Sequence, residues 1–217
     1  MADAKFNRMA LIGIGLIGSS ISHAARRADL VDTITGHART AETRQVAMDL
    51  GLVDAVYETA GEAVQDADLV ILCVPVGACG PVAKEIAPHL KPGAIVTDVG
   101  SVKESVVSDM AQHIPADVHF IPGHPIAGTE NSGPESGFAE LFDNRWCILT
   151  PRSGDDPAAT AKLKAFWQAL GSDVEVMAPD HHDMVLAIVS HLPHLIAFNI
   201  VNSARHLEQV TDKEVIK

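Results

Sequence analysis

Residues 122–133 read PGHPIAGTENSG and hold one histidine, His124, between Gly123 and Pro125. An imidazole, with a pKa of about 6.5, suits the taking up and returning of a proton near neutral pH. Glycine opens backbone conformations closed to other residues, and proline fixes φ and removes a donor. The segment is therefore predicted to be a loop, neither helix nor central strand. A second candidate is GIGLIG at 13–18, a G-x-G-x-x-G pattern. There Gly13 allows a tight turn, Gly15 lets the backbone approach a pyrophosphate, and Gly18 allows close helix–strand packing. Leu16 and Ile17 complete the turn, and the helix after it would offer its free N–H groups to the phosphates. A third cluster holds His181, His182, His191 and His194, with Asp183 and Ser190 beside them. Its H-x-x-H at 191 and 194 is not HExxH, and no carboxylate or thiolate completes a ligand set, so no metal is expected. On its own, His124 fits an unremarkable surface loop as well as a site; its place in the fold has to decide.

The elements that would position these groups alternate. Strands are predicted at 9–14, 33–37, 54–57, 67–74, 94–98 and 119–121, the fourth buried on both faces by its unbroken apolar run. Helical segments are predicted at 19–28, 61–65, 76–89 and 104–113. This order predicts an α/β fold, a Rossmann-like, doubly wound and mainly parallel sheet. Ligands in such sheets sit outside the carboxyl ends of the strands. The loops 13–18, 36–40, 74–77 (with Val74 and Pro75), 98–103 and 122–133 all fall at that edge, which brings His124 to the cofactor. The second strand ends in Gly36-His37-Ala38-Arg39-Thr40, without the acidic residue that binds adenine ribose hydroxyls in NAD sites. Arg39 is placed to pair with a 2′-phosphate, and Thr40 stands beside it. That leans toward NADP over NAD; the alternative is a solvated loop arginine.

Further strands are predicted at 146–150 and 173–177, with a helix from an Asp156 N-cap and Pro157 to about residue 170. From residue 179 the chain reads as one long helical stretch to about 209, interrupted by Pro193. The boundary is set near 178, with residues 1–178 as the dinucleotide-binding domain and 179–217 as the beginning of an all-helical second domain. Met184, Ile188, His191 and Leu195 share one face at helical spacing and should pack on something. His182 would lie on the opposite face of a straight helix. Both histidines reach one site only if Pro193 bends the region 189–193. His191 is therefore the stronger candidate of the two.

The chain has 217 residues, 47% apolar, with a formal charge of −12. It is too apolar for disorder, and its acidity argues against nucleic acid. No apolar run approaches the roughly 20 residues of a membrane span, and MADAKFNRM is not a secretory signal. Cys73, Cys79 and Cys147 form no CxxC pair, which fits a reducing cytoplasm.

Four motifs, GIGLIG at 13–18, DVGSVK at 98–103, PGHPIAGTENSG at 122–133 and HDMVLAIVSHLPH at 182–194, resemble the prephenate/arogenate (cyclohexadienyl) dehydrogenase family of tyrosine biosynthesis in order and spacing. The resemblance implies oxidative decarboxylation of prephenate or arogenate, with hydride transfer to NAD(P). It implies that His124 accepts a hydrogen bond from the ring 4-hydroxyl. Ser101 helps to position nicotinamide, hydroxyl and histidine. Thr129 and Glu130 lie at the pocket mouth, near the substrate side chain. Ser190 and His191 would contact substrate from the helical domain, with His182 as a further substrate-side histidine. It also implies a homodimer, and a helical domain continuing past Lys217 to supply an arginine for a substrate carboxylate. Two rival readings remain. One is another helical-domain dehydrogenase, of β-hydroxyacid dehydrogenase or imine reductase type. Those rely on a second-domain lysine, and the first here is Lys213. The other is a cofactor-binding module without turnover.

Overall fold

The computed structural model describes residues 4–211; residues 1–3 and 212–217, Lys213 among them, lie outside the description. Six strands form the main sheet: β1 (Phe6–Ile12), β2 (Val31–His37), β3 (Ala55–Tyr57), β4 (Leu69–Leu72), β5 (Ile95–Asp98) and β6 (His119–Phe120). They pair in parallel in the order β3-β2-β1-β4-β5-β6, the doubly wound dinucleotide-binding order. Helices α1 (Leu16–Arg27), α2 (Ala41–Asp49), α3 (Ala60–Ala63), α4 (Cys79–Ile86) and α5 (Glu104–Ala111) connect them. Every residue of β4, LVIL, is buried, because helices cover both sheet faces. On α1, Ile21, Ala24 and Ala25 are fully buried at i, i+3 and i+4 spacing, which sets the stripe that packs on the sheet.

Residues 122–133 are not a loop throughout. Gly123–Pro125 is a short strand, β7, antiparallel to β8 (Trp146–Leu149), and β9 (Asp173–Val176) completes a second, three-stranded sheet. Glycine and proline disguise it in the sequence. Pro125 is tolerated because β7 lies at the edge, paired on one side only. The register is bracketed by Thr150 N–H donating to the Pro122 carbonyl at 2.9 Å and Ile126 N–H to the Trp146 carbonyl at 2.7 Å. Helix α6 (Pro157–Ala169) starts where its signals predict: the Asp156 carboxylate accepts from Ala158 N–H at 2.7 Å, and Pro157 holds the first turn.

The last described segment is helical but not uniform. Helix α7 (Pro179–Leu186) passes through a π turn at Ala187–His191 into α8 (Leu192–Thr211). Pro193 offers no N–H and its ring crowds the carbonyl four residues back, so the turn before it widens. The sequence misleads on one point here. Pro179–Leu207 runs 29 residues, its most apolar 18-residue stretch has mean hydropathy 1.9, and 6% of that stretch is buried. By length and composition this helix is apolar enough to cross a membrane; scattered His, Asn and Ser hide that in a search for unbroken runs. The predicted packing face is bare among the described residues, with Met184, Ile188 and Leu195 each more than half exposed.

Candidate active site

A cavity of about 490 Å³ opens at the carboxyl edge of β1, β2 and β4. Gly13, Gly15, Arg39, Thr40, Val74 and Pro75 are among the residues that line it. Gly13 has φ +97°, and a Cβ there would lie 2.3 Å from the Cys73 carbonyl oxygen, so no other residue fits without displacing backbone. A Cβ on Gly18 would meet the Gly13 carbonyl oxygen at 2.3 Å, so the third glycine sets how closely α1 seats on the turn. A Cβ on Gly15 would meet nothing within 4 Å; that side is open cradle. Gly15 caps α1 without a side-chain bond, and no acidic residue occupies the first turn. Its first N–H groups and partial positive charge are left for an anion, so the residues fit a dinucleotide pyrophosphate. Leu16, Ile17 and Gly18 build that first turn rather than the cavity wall.

Arg39 and Thr40 are exposed at the far end of this cavity. Thr40 caps α2, its hydroxyl accepting from Thr43 N–H at 3.2 Å. Arg39 makes no ion pair among the described residues. Gly133 and Pro134, at the end of the 122–133 segment and just past it, also line the cavity. The segment that starts at His124 thus ends against the cofactor site, and Phe138 N–H donates to the Ser20 hydroxyl of α1 at 3.2 Å.

His124, in the middle of β7, is 9% exposed. Its Nδ1 lies 2.9 Å from Nε2 of His182 on α7, and the rings meet edge to face at 5.1 Å. His182 Nδ1 lies 2.7 Å from Oδ1 of Asp183. Asp183 also accepts from Lys103 N–H at 2.7 Å and Glu104 N–H at 2.9 Å, capping α5 from α7. Burial pushes the His124 pKa down to about 3, with His182, Lys103 and His191 adding to the shift and Asp183 opposing it. Burial also lowers His182, against the opposing Asp183. Burial raises Asp183, but Glu104 N–H, Lys103 N–H and His182 outweigh it and hold the carboxyl below its ordinary value. Both rings are therefore neutral at pH 7.

Beneath them lies a pair that the sequence reading passed over. Lys103 and Asp98 are wholly buried, ion-paired, and both held to β7. Lys103 Nζ donates to the Gly123 carbonyl at 2.7 Å, and Asp98 accepts from Gly123 N–H at 3.2 Å and Gly100 N–H at 2.7 Å. Burial pushes the Asp98 carboxyl up, while Lys103 and the two N–H donors hold it in the ion pair. The pair ties the end of β5, the turn carrying Ser101, and the strand carrying His124. Asp98 and Lys103 are the first and last residues of DVGSVK, which is the signal that could have found them.

The remaining sequence-derived residues sort by position. Ser101 is exposed on the β5–α5 turn. Ser190 and His191 are half-buried in the π turn. A π turn carries one extra residue, which takes roughly 100° off the half-turn separating residues 182 and 191. His191 thereby comes close enough to act on both buried rings. His182 is corrected: it is fully buried with both ring nitrogens engaged, so it stands behind His124 and offers substrate no free atom. Thr129 and Glu130 are exposed on the outer bend, and among the described residues neither bonds to His124; Thr129 Oγ1 accepts from Asn131 N–H at 3.2 Å.

The depressed His124 pKa has a consequence for stability. In the unfolded chain a histidine takes a proton below about 6.5, while folded His124 stays neutral to about 3. Stability from this group is present above 6.5 and drains as pH falls toward 3. Thermal melting followed between pH 7 and 4 is expected to fall less steeply in His124→Asn than in wild type; parallel curves would contradict the burial argument.

A glycine-turn cradle at the N-terminus of α1, an open cavity along the carboxyl edge and a neutral buried histidine at the same edge define a nicotinamide-dependent dehydrogenase. Residues 21–176 match the family described as prephenate dehydrogenase, nucleotide-binding domain, and residues 178–217 match prephenate dehydrogenase, dimerization domain. The chain belongs to the prephenate dehydrogenase family. It is 40% identical to a cyclohexadienyl dehydrogenase of Zymomonas mobilis over 98% of its own length and 72% of that protein. It is 33% identical to a prephenate dehydrogenase of Bacillus subtilis over 92% of its length, but spans only 54% of that relative. The crystal structure of Aquifex aeolicus prephenate dehydrogenase with hydroxyphenyl propionate and NAD+ superposes with a TM-score of 0.85 at 34% identity, covering 92% of this chain and 70% of that one.

Proposed function

We propose that this chain oxidatively decarboxylates prephenate, arogenate or both, in tyrosine biosynthesis, as one protomer of a cytoplasmic homodimer. The observation that carries the reading is a buried His124, tied through Gly123 to Asp98 at the carboxyl end of β5, the edge along which the cavity opens at β1, β2 and β4. A bound nicotinamide would supply the acceptor for hydride from the hydroxyl-bearing ring carbon. His124 takes the hydrogen bond, and then the proton, of the hydroxyl on that carbon. Ser101, on the adjoining turn, helps to orient hydroxyl and nicotinamide. Thr129 and Glu130 meet the substrate side chain at the pocket mouth, and Ser190 and His191 close on the substrate from the helical side. Ring carboxylate leaves as carbon dioxide and the ring becomes aromatic, so the protein has mainly to align the partners. We keep the division at 178, with substrate and dimer functions in residues 179–217. The bare apolar face of α7 and α8 suits burial against a second copy, and the three unpaired cysteines suit a reducing compartment. Absorbance of NAD(P)H formed with prephenate and with arogenate tests the reading; cofactor binding without turnover on either would sink it.

Arg39, without a carboxylate partner at the ribose end of the cavity, supports NADP over NAD. Arg39→Asp is expected to reverse the ratio of kcat/KM values for the two cofactors in favour of NAD. An unchanged ratio would place Arg39 away from the ribose.

A further inference from the structure

The hydrogen bonds behind His124 have only one consistent direction. A carboxylate can only accept, so His182 Nδ1 carries the proton in the 2.7 Å contact to Asp183. A neutral His182 then presents Nε2 as a lone pair, and the 2.9 Å contact requires His124 to donate from Nδ1. A neutral His124 protonated on Nδ1 has its lone pair on Nε2. Reversing any one contact faces a lone pair with another or leaves a buried donor unpaired.

We propose that Asp183 and His182 are positioning residues that lock His124 in the Nδ1–H tautomer, keeping Nε2 free to take the substrate's hydroxyl proton. This rests on the proton-accepting role given to His124 above. Asp183 is fit for the task because it is itself fixed. The N–H groups of Lys103 and Glu104 at the start of α5 grip it, so its charge neither rotates away nor protonates at neutral pH. As the proton moves onto His124 Nε2, the growing positive charge is shared through Nδ1–H to His182, and from its Nδ1–H to the Asp183 carboxylate. The other charged or titratable groups facing the ring are the Lys103–Asp98 pair from the β5–α5 turn and His191 from the π turn. Lys103 and His191 disfavour an imidazolium, and Asp183 counters them. The device also crosses the domain boundary: α7 supplies Asp183 and His182, whereas the base sits on β7 of the cofactor domain. The site has its correct tautomer only when the helical segment is docked.

Nitrogen-15 NMR of histidine-labelled protein without cofactor tests this directly. Wild type is expected to show His124 and His182 both protonated on Nδ1 and bare on Nε2. In His182→Phe no acceptor faces His124 Nδ1, and a proton left there would be buried and unpaired. The proton then moves to the other ring nitrogen, and His124 becomes protonated on Nε2. Turnover of that variant is expected to drop at least about 10²-fold, the low end of what a correctly presented base contributes, with substrate KM and cofactor affinity little changed. Wild-type His124 protonated on Nε2 overturns the proposal even if His182→Phe does not fold, as does a His124 signal in the variant identical to wild type. A wrong assignment of substrate would abolish turnover on prephenate and arogenate in both proteins but leave the tautomers as described.

Discussion

His124→Asn is expected to lower kcat by about 10²- to 10⁴-fold, the usual contribution of a positioned base, while cofactor affinity stays near wild type. The separation follows from the geometry. The cavity proposed for the dinucleotide is lined by the turn after β1 and the ends of β2 and β4, whereas His124 hangs from β7 and is anchored from behind by His182. An asparagine can fill much of the space and donate to His182, but it brings no basic nitrogen to the hydroxyl. Turnover by titration with substrate, and cofactor affinity by fluorescence or calorimetry, separate the two effects. Turnover near wild type would remove His124 from the chemistry. Loss of cofactor binding in step with turnover would mean that β7 shapes the dinucleotide cavity.

Lys103→Met is expected to cost about 3–5 kcal/mol of stability, the usual penalty for stranding one member of a buried ion pair. That corresponds to a fall in Tm of roughly 10 °C for a chain of this size. The ammonium is wholly buried, and the substitution leaves Asp98 with a charge in a site closed to water. It also takes a donor from the Gly123 carbonyl, loosening the strand that carries His124. Urea unfolding followed by circular dichroism reads the loss. Asp98→Asn with Lys103→Met should recover part of it, because no charge is then left buried. A loss below about 1 kcal/mol, the range of an exposed pair, would contradict the burial of this one.

Much of the cofactor half was legible in the residues, because it depends on local rules. A strand, three glycines at fixed spacing and a helix can be read from neighbours in the chain, and Gly13 and Gly15 indeed line the cavity. What lies behind His124 was not legible, since it depends on pairs far apart. Lys103 reaches Gly123, 20 residues on, and Lys103 N–H reaches Asp183, 80 residues on. His182 was ranked below His191 because a uniform helix sends them in opposite directions; a π turn breaks that uniformity. Periodicity assumes one turn length throughout and has no place for such a change. β7 was missed for the opposite reason: local propensity spoke against a strand, and edge pairing with β8 prevailed.

That edge pairing makes the reaction a matter of odd and even. Side chains alternate along a strand, and His124 is the middle residue of three, opposite Ile148. Losing or gaining one residue between Pro122 and Ile126 would turn the imidazole to the other face of the small sheet, away from His182, with every residue type preserved. The stretch beyond Ile126 carries no such parity until Gly133 and Pro134 reach the cavity. Before Ile126 the count of residues is thus fixed by parity, and after it by reach alone, although both belong to the same glycine-rich segment.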